Sequence, residues 1–240
     1  MTIYKSPKAA LAPKTTLIGE GTADWKFPDP PYMCDMNQLP HIVYAHGVLS
    51  DCFSGREDVL VSGEGYLCHD RRDRSNWVKP DCVVAFSVSP EAIRFRNGYE
   101  ILEVGKPPEF VLEVASESTG ARDYTIKRDI YESFGVSEYW RFDSTGGNFH
   151  DAPLAFDLLV DGEYRQMELD VKPDGSVEGV SPALGIGLRW DAGILVFFDT
   201  ETGEAIPDYT ELRRERDAER VRAETAEAEL RRLREQLRDG

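Results

Sequence analysis

Two stretches in the middle of the chain are apolar at nearly every position, Cys82-Val83-Val84-Ala85-Phe86-Ser87-Val88 and Phe110-Val111-Leu112-Glu113-Val114-Ala115. Runs of this length, rich in β-branched residues and without alternation, predict strands buried on both faces, because a strand with one wet face alternates apolar and polar positions. Upstream, Ile42, Val43, Ala45, Val48 and Leu49 recur at helical spacing and predict a helix from Leu39 to Phe53. Strands are expected over residues 58–62 and 66–68, separated by the turn-formers Gly63 and Gly65. Downstream, Ile126, Ile130 and Phe134 stand four apart and Gly135 sits where a left-handed C-cap belongs, so a second helix is expected over residues 121–134 and a strand over 136–142. Strand-like runs at 154–160, 164–169 and 194–198, with turns at Asp161-Gly162 and Asp174-Gly175, read as a β-hairpin extension continuing the sheet. The order of elements gives an α/β fold, a mixed central sheet flanked by helices.

The ends differ from this centre. Residues 1–36 hold Pro7, Pro13, Pro28, Pro30 and Pro31 with little apolar periodicity and read as an irregular arm. The core then occupies residues 37–207, closed by Pro207, and residues 208–240 form a charged helix. From Glu211 onward the composition turns to Glu, Arg, Ala and Leu, with nine acids against nine bases, so the preceding residues bear the whole net charge of −16. Leu230, Leu233 and Leu237 make a short apolar seam; a small coiled coil giving a homodimer and a polar helix continuing into solvent both satisfy it. No stretch approaches the roughly 18–20 apolar residues that span a bilayer, and the expected location is cytoplasmic, with no membrane partner. Cys34, Cys52, Cys68 and Cys82 form no close pair, which argues against zinc, and Cys68 and Cys82 suit packing as reduced thiols in strands.

The candidate chemistry begins with the acids that interrupt the apolar strands: Asp81, after Lys79-Pro80, and Glu113. A carboxylate buried among apolar side chains is costly unless a cation or a hydrogen-bond donor meets it. Oxygen ligands from two carboxylates, completed by water and substrate, suit Mg²⁺ or Mn²⁺ better than zinc. On the second helix Asp123, Lys127 and Tyr131 stand four apart and share a face distinct from that of Ile126, Ile130 and Phe134. A lysine at the edge of such a site can orient an attacking water and stabilise charge on a pentacovalent phosphate. Each piece also has a bland reading: a Pro-Asp turn, a glutamate paired with a core arginine, and an exposed helical ion pair of small worth.

Pro80-Asp81, the stretch Pro108-Glu109-Phe110-Val111-Leu112-Glu113-Val114-Ala115-Ser116, Asp123, Lys127 and Tyr131, and Gly135-Val136-Ser137-Glu138-Tyr139-Trp140-Arg141-Phe142-Asp143 together resemble the Uma family, catalogued as PD-(D/E)XK, restriction-endonuclease-like endonucleases and formerly as a domain of unknown function. The resemblance covers about residues 37–200. It implies a restriction-endonuclease-like core, divalent-metal dependence, and Asp81 and Glu113 as metal ligands. The motif's usual lysine position is Ala115 here; the resemblance implies that Lys127 supplies the catalytic lysine, with Ser116, Asp123 and Tyr131 in support. His41 matches a histidine near the start of the family's first helix, but the acidic segment that usually precedes it is missing, and Asp35 is a weak substitute for a third acid.

Three functions follow as expectations. The first is a Mg²⁺- or Mn²⁺-dependent endonuclease hydrolysing DNA phosphodiesters. The second is an inactive adaptor that assembles through its C-terminal helix, favoured by the −16 charge, which opposes binding to DNA. The third is a hydrolase of a smaller phosphoester using the same residues. A basic strip beside the cleft, drawn from Arg71, Arg72, Arg74, Lys79, Arg122, Lys127 and Arg128, would favour the nuclease.

Overall fold

The computed structural model describes residues 25–28, 36–63, 65–208, 219–222 and 225. The chain divides into two compact units, Met1–Ile206 and Pro207–Gly240. In the second, residues 219–222 and 225 are helical, as the charged composition predicts, while the leucine seam lies outside the described residues.

In the first unit, helix α1 (Leu39–Cys52) buries Ile42, Ala45, Val48 and Leu49, the stripe read from the sequence. The strands that follow are β1 (Val59–Ser62), β2 (Tyr66–Cys68), β3 (Cys82–Phe86), β4 (Gly98–Glu100), β5 (Phe110–Val114), β6 (Glu138–Phe142), β7 (Leu154–Val160) and β8 (Glu163–Gln166). Six of them form the main sheet in the order β1-β3-β5-β6-β7-β8, while β2 and β4 pair in parallel as a separate ribbon. Within the main sheet only β5 and β6 run parallel. The helical segment of residues 120–134 makes the crossover between them, as parallel neighbours require.

Both faces of the central strands are covered, which is why they read as continuous apolar runs. One face packs Val84, Leu112, Trp140 and Phe156 against α1 and a second sheet; the other packs Val83, Val111 and Tyr139 against Tyr131 and Phe134. Because side chains alternate along a strand, Glu113 shares the second face with Val111.

Two expectations change. Residues 90–104, given no element from sequence, form short helices α2 (Pro90–Arg96) and α3 (Ile101–Val104) around β4. The hairpin extension also divides. β7 and β8 continue the main sheet around Asp161 and Gly162, whose φ values of 56° and 86° give the left-handed turn that this dipeptide favours. Strands β9 (Asp170–Val171), β10 (Val177–Ser181), β11 (Ile186–Asp191) and β12 (Ile194–Phe198) instead form a separate four-stranded sheet. It buries Ile186, Leu188, Leu195 and Phe197 against the face that carries Trp140, apolar surface that an edge-on continuation would leave wet. Glu138 joins the two sheets: its carboxylate accepts from the Ala183 N–H at 2.5 Å, the Ser181 hydroxyl at 2.5 Å and the Trp140 indole N–H at 3.1 Å.

Candidate active site

The register of three strands assembles the site. Cys82 stands opposite Leu112, so one residue further the antiparallel pairing brings Asp81 beside Glu113, and Glu113 stands beside Arg141 on β6. Asp81, Glu113 and Arg141 therefore form a polar row across one face. Since β3 begins only at Cys82, the Val114 amide lies past the end of the ladder, and Asp81 Oδ2 accepts its N–H at 2.7 Å. The Val114 carbonyl accepts from the Gln38 side-chain amide, which reaches in from the residue preceding α1, at 2.5 Å. Side chains thus complete both polar groups of the strand end.

Above this row the crossover helix is continuous but uneven: Gly120–Arg122, then a π-helical turn at Asp123–Lys127, then Arg128–Phe134, ended by Gly135 at φ 80°. The π turn contains Asp123 and Lys127, two of the three helix residues singled out from sequence; such turns are frequent at functional sites. Asp123 and Tyr131 are fully buried, and Lys127 points inward, whereas Ile126 is 53% exposed. The polar stripe, more than the apolar one, faces the sheet, because the acids of the sheet need partners there. Lys127 Nζ lies 2.8 Å from Glu113 Oε2 and 2.8 Å from Asp123 Oδ1. The Tyr131 hydroxyl donates to Glu113 Oε1 at 2.5 Å, and the Tyr139 hydroxyl to the Asp123 carbonyl at 2.8 Å.

Burial first, and then the charge of Glu113, push the Asp81 carboxyl well above the usual carboxylate range; Lys127 and the Val114 N–H pull it back only in part. Burial likewise raises Glu113, opposed chiefly by Lys127. For Lys127, burial works against the ammonium, but the charges of Glu113 and Asp123 outweigh it and hold the proton more firmly than on a free lysine. Lys127 therefore stays an ammonium, suited to electrostatic work and unsuited to act as a base. Three carboxylates and one ammonium leave the cluster short of positive charge, while burial is what chiefly raises Asp81 and Glu113.

That deficit is what a divalent cation would correct. Among the described residues no set of three or more His, Cys, Asp or Glu converges on one ion position; the paired strands do set Asp81 beside Glu113, and these are the two carboxylates that would hold an ion there. Mg²⁺ is commonly held by one or two carboxylates, with waters and substrate phosphates completing the shell, and the donor set fits it.

The supporting residues fall in different places. Asp123 and Tyr131 join the cluster. Ser116 is buried, but its hydroxyl turns to Thr119 Oγ1 at 2.8 Å and organises the loop before the helix. His41 is half-buried with its ring 4.9 Å from that of Phe142, and burial lowers its pKa. Asp35 lies outside the described residues. Two participants escaped sequence reasoning. One is Gln38; the other is His150, whose Nε2 sits 2.9 Å from Asp123 Oδ2. The basic strip is largely spent on internal pairs: Arg71 meets Glu100, Arg72 meets Asp70, Arg128 meets Asp157, and Lys127 is in the cluster. A cavity of about 780 Å³ lined by Phe53, Arg56, Val61 and Arg94 includes none of the cluster residues.

No curated protein matches the chain. A crystal structure described as "a putative nuclease belonging to DUF820 from Anabaena variabilis ATCC 29413" is similar at 14% identity and a TM-score of 0.41, over 63% of this chain and 74% of that one. The family model Uma2, described as "Putative restriction endonuclease", matches residues 65–193. That stretch contains Asp81, Glu113, Lys127 and His150 and spans more than half of the 240 residues, and the protein belongs to the Uma2 family.

Proposed function

We propose that this protein is a Mg²⁺- or Mn²⁺-dependent nuclease that hydrolyses DNA phosphodiester bonds. The observation that carries this reading is the convergence of Asp81, Glu113 and Lys127 at the end of β5, with Lys127 Nζ 2.8 Å from Glu113 and both acids raised by burial. Asp81 and Glu113 hold the metal, which supplies Lewis-acid neutralisation of phosphate charge. Lys127, kept as the ammonium, orients the attacking water and stabilises negative charge growing on the phosphate. Glu113 also positions that ammonium, and Tyr131, whose hydroxyl burial pushes far above its usual range, holds Glu113 in its rotamer as a hydrogen-bond donor. Glu113 is 1% exposed, so a phosphate approaches from the side of Asp81 and Lys127.

The second reading, an adaptor with an idle site that binds partners or a second copy through its C-terminal helix, is favoured by the internal pairing of the basic residues that would otherwise meet DNA. One experiment separates the two: calorimetric titration of Mg²⁺ and Mn²⁺ into the wild-type protein and into Asp81→Ala and Glu113→Ala, then plasmid cleavage by the same samples. Binding and cleavage lost together in both variants support the nuclease. A folded wild type that binds neither ion supports the adaptor.

A further inference from the structure

Asp123 is completely buried, and its Oδ1 lies 2.8 Å from Lys127 Nζ as an ion pair that does not have hydrogen-bond geometry. The other oxygen, Oδ2, meets Nε2 of His150 at 2.9 Å, and the His150 side chain is itself fully buried. Its Nδ1 has no hydrogen-bond partner, so the contact with Asp123 is the imidazole's one polar attachment among the described residues. A carboxylate oxygen can only accept, which assigns the proton to Nε2.

The loop that delivers His150 is built with care. Asp143, fully buried at the end of β6, accepts from the Thr145 N–H at 2.8 Å with Oδ1, and from the Phe149 and His150 N–H groups at 2.8 and 2.9 Å with Oδ2. Residues 144–150 are thereby wound around one carboxylate. Gly120, at the start of the crossover helix, lets the Phe149 carbonyl come so close that a Cβ there would collide with it. The two devices, on separate segments, bring the His150 ring to the helix at Asp123.

We infer that His150 is a positioning residue that fixes Asp123 and, through it, holds the Lys127 ammonium against Glu113 at the reaction centre. The inference rests on the assignment of Lys127 to the chemistry. A carboxylate held by one partner alone can rotate about its terminal bond. Held at both oxygens, it keeps Oδ1 on Lys127, and the ammonium keeps its place between two acids.

The test uses His150→Gln and His150→Asn in the full chain. The glutamine amide nitrogen can overlie Nε2 and donate to Asp123, whereas that of asparagine overlies Nδ1 and falls short. Two readouts are taken: the ¹⁵N signal of the Lys127 ammonium in metal-free protein, assigned by its loss in Lys127→Met, and Mn²⁺-supported plasmid cleavage at saturating and subsaturating DNA. His150→Asn is expected to broaden or shift the ammonium signal and to lower kcat by about 10- to 100-fold, the usual scale for losing an outer hydrogen-bond partner. KM for DNA should stay within about threefold of wild type, and His150→Gln should recover both readouts. Asparagine and glutamine behaving alike, or an unchanged ammonium signal in both, overturns the inference. If the wild type cleaves nothing, the nuclease reading fails while the ammonium signal still decides the role of His150; if His150→Asn does not fold, His150→Phe replaces it with the same expectations.

Discussion

Lys127→Met removes one charge and little volume, and so isolates what the ammonium does for the fold. Its nitrogen lies 2.8 Å from each of two carboxylates that are 1% and 0% exposed, and its own side chain is 16% exposed. Removing one partner of a buried ion pair costs about 3–5 kcal/mol, because a charge is left with neither water nor counter-ion. Against a total stability of about 5–15 kcal/mol this is a large fraction, and it corresponds to a Tm loss on the order of 10 °C for a domain of this size. The loss should depend on pH. Burial already raises Glu113, and Lys127 is the largest influence opposing that rise, so its removal carries the carboxyl higher still. As pH rises past the ordinary glutamate range the unfolded chain gives up this proton first, while the folded state retains it. Over that window the folded state binds more protons, and stability falls by about 1.4 kcal/mol per pH unit for each proton concerned. Urea unfolding without divalent ions at pH 5.5 and pH 8 measures this, and the deficit of Lys127→Met relative to wild type should be clearly larger at pH 8. A deficit below about 1 kcal/mol, equal at both pH values, would mean that Lys127 is not the counter-ion of Glu113, and the electrostatic account of the site would have to be given up.

Three further outcomes are expected. Burial and Glu113 raise Asp81, so metal-free wild type should lose stability as pH rises above the ordinary aspartate range near about 4, whereas Asp81→Asn should flatten that limb and melt higher than wild type at pH 8. A variant no more stable than wild type there, by calorimetry, contradicts the raised carboxyl. Glu138→Ala, which deletes the acceptor of three hydrogen bonds, two of them crossing to Ser181 and Ala183 beside the second sheet and one within β6, should cost about 3 kcal/mol or more and speed amide exchange at Ala183 and Leu184; unchanged exchange refutes the joint. Gln38→Leu should cost about 1–2 kcal/mol by leaving the Val114 carbonyl without its amide donor, read as a lower urea midpoint at constant slope.

Different kinds of information made different parts of this molecule legible in its sequence. Strands β3 and β5 were readable because burial on both faces removes all polar alternation, and the acids at Asp81 and Glu113 then stood out as exceptions to a strong local pattern. The helix over residues 120–134 was readable from its spacing, but a stripe of Asp, Lys and Tyr is equally at home in water, and only the acids of the neighbouring strands make it an inward face. Strands β10 and β11 were missed since Gly179 and Gly187 dilute the alternation where close approach matters more than side-chain bulk. Gln38 went unnoticed because a third acid was sought near the first helix, while the position that touches the strand end carries an amide.

His150 is the instructive omission, since no periodicity links a histidine to an aspartate 27 residues earlier. Its place depends on Asp143 accepting backbone N–H groups and on the absence of a side chain at Gly120, signals that read locally as an ordinary polar loop and an ordinary glycine. Local patterns report contacts within about one helical turn or one pleat, because backbone geometry repeats on that scale. A buried polar cluster is set by register between distant strands, so sequence can nominate Asp81, Glu113 and Lys127 by their incongruity, yet a partner buried in a loop shows no incongruity to notice. By the same logic, residues that hold a nominated lysine in place are best sought by following each oxygen of its carboxylate partners to the group that faces it.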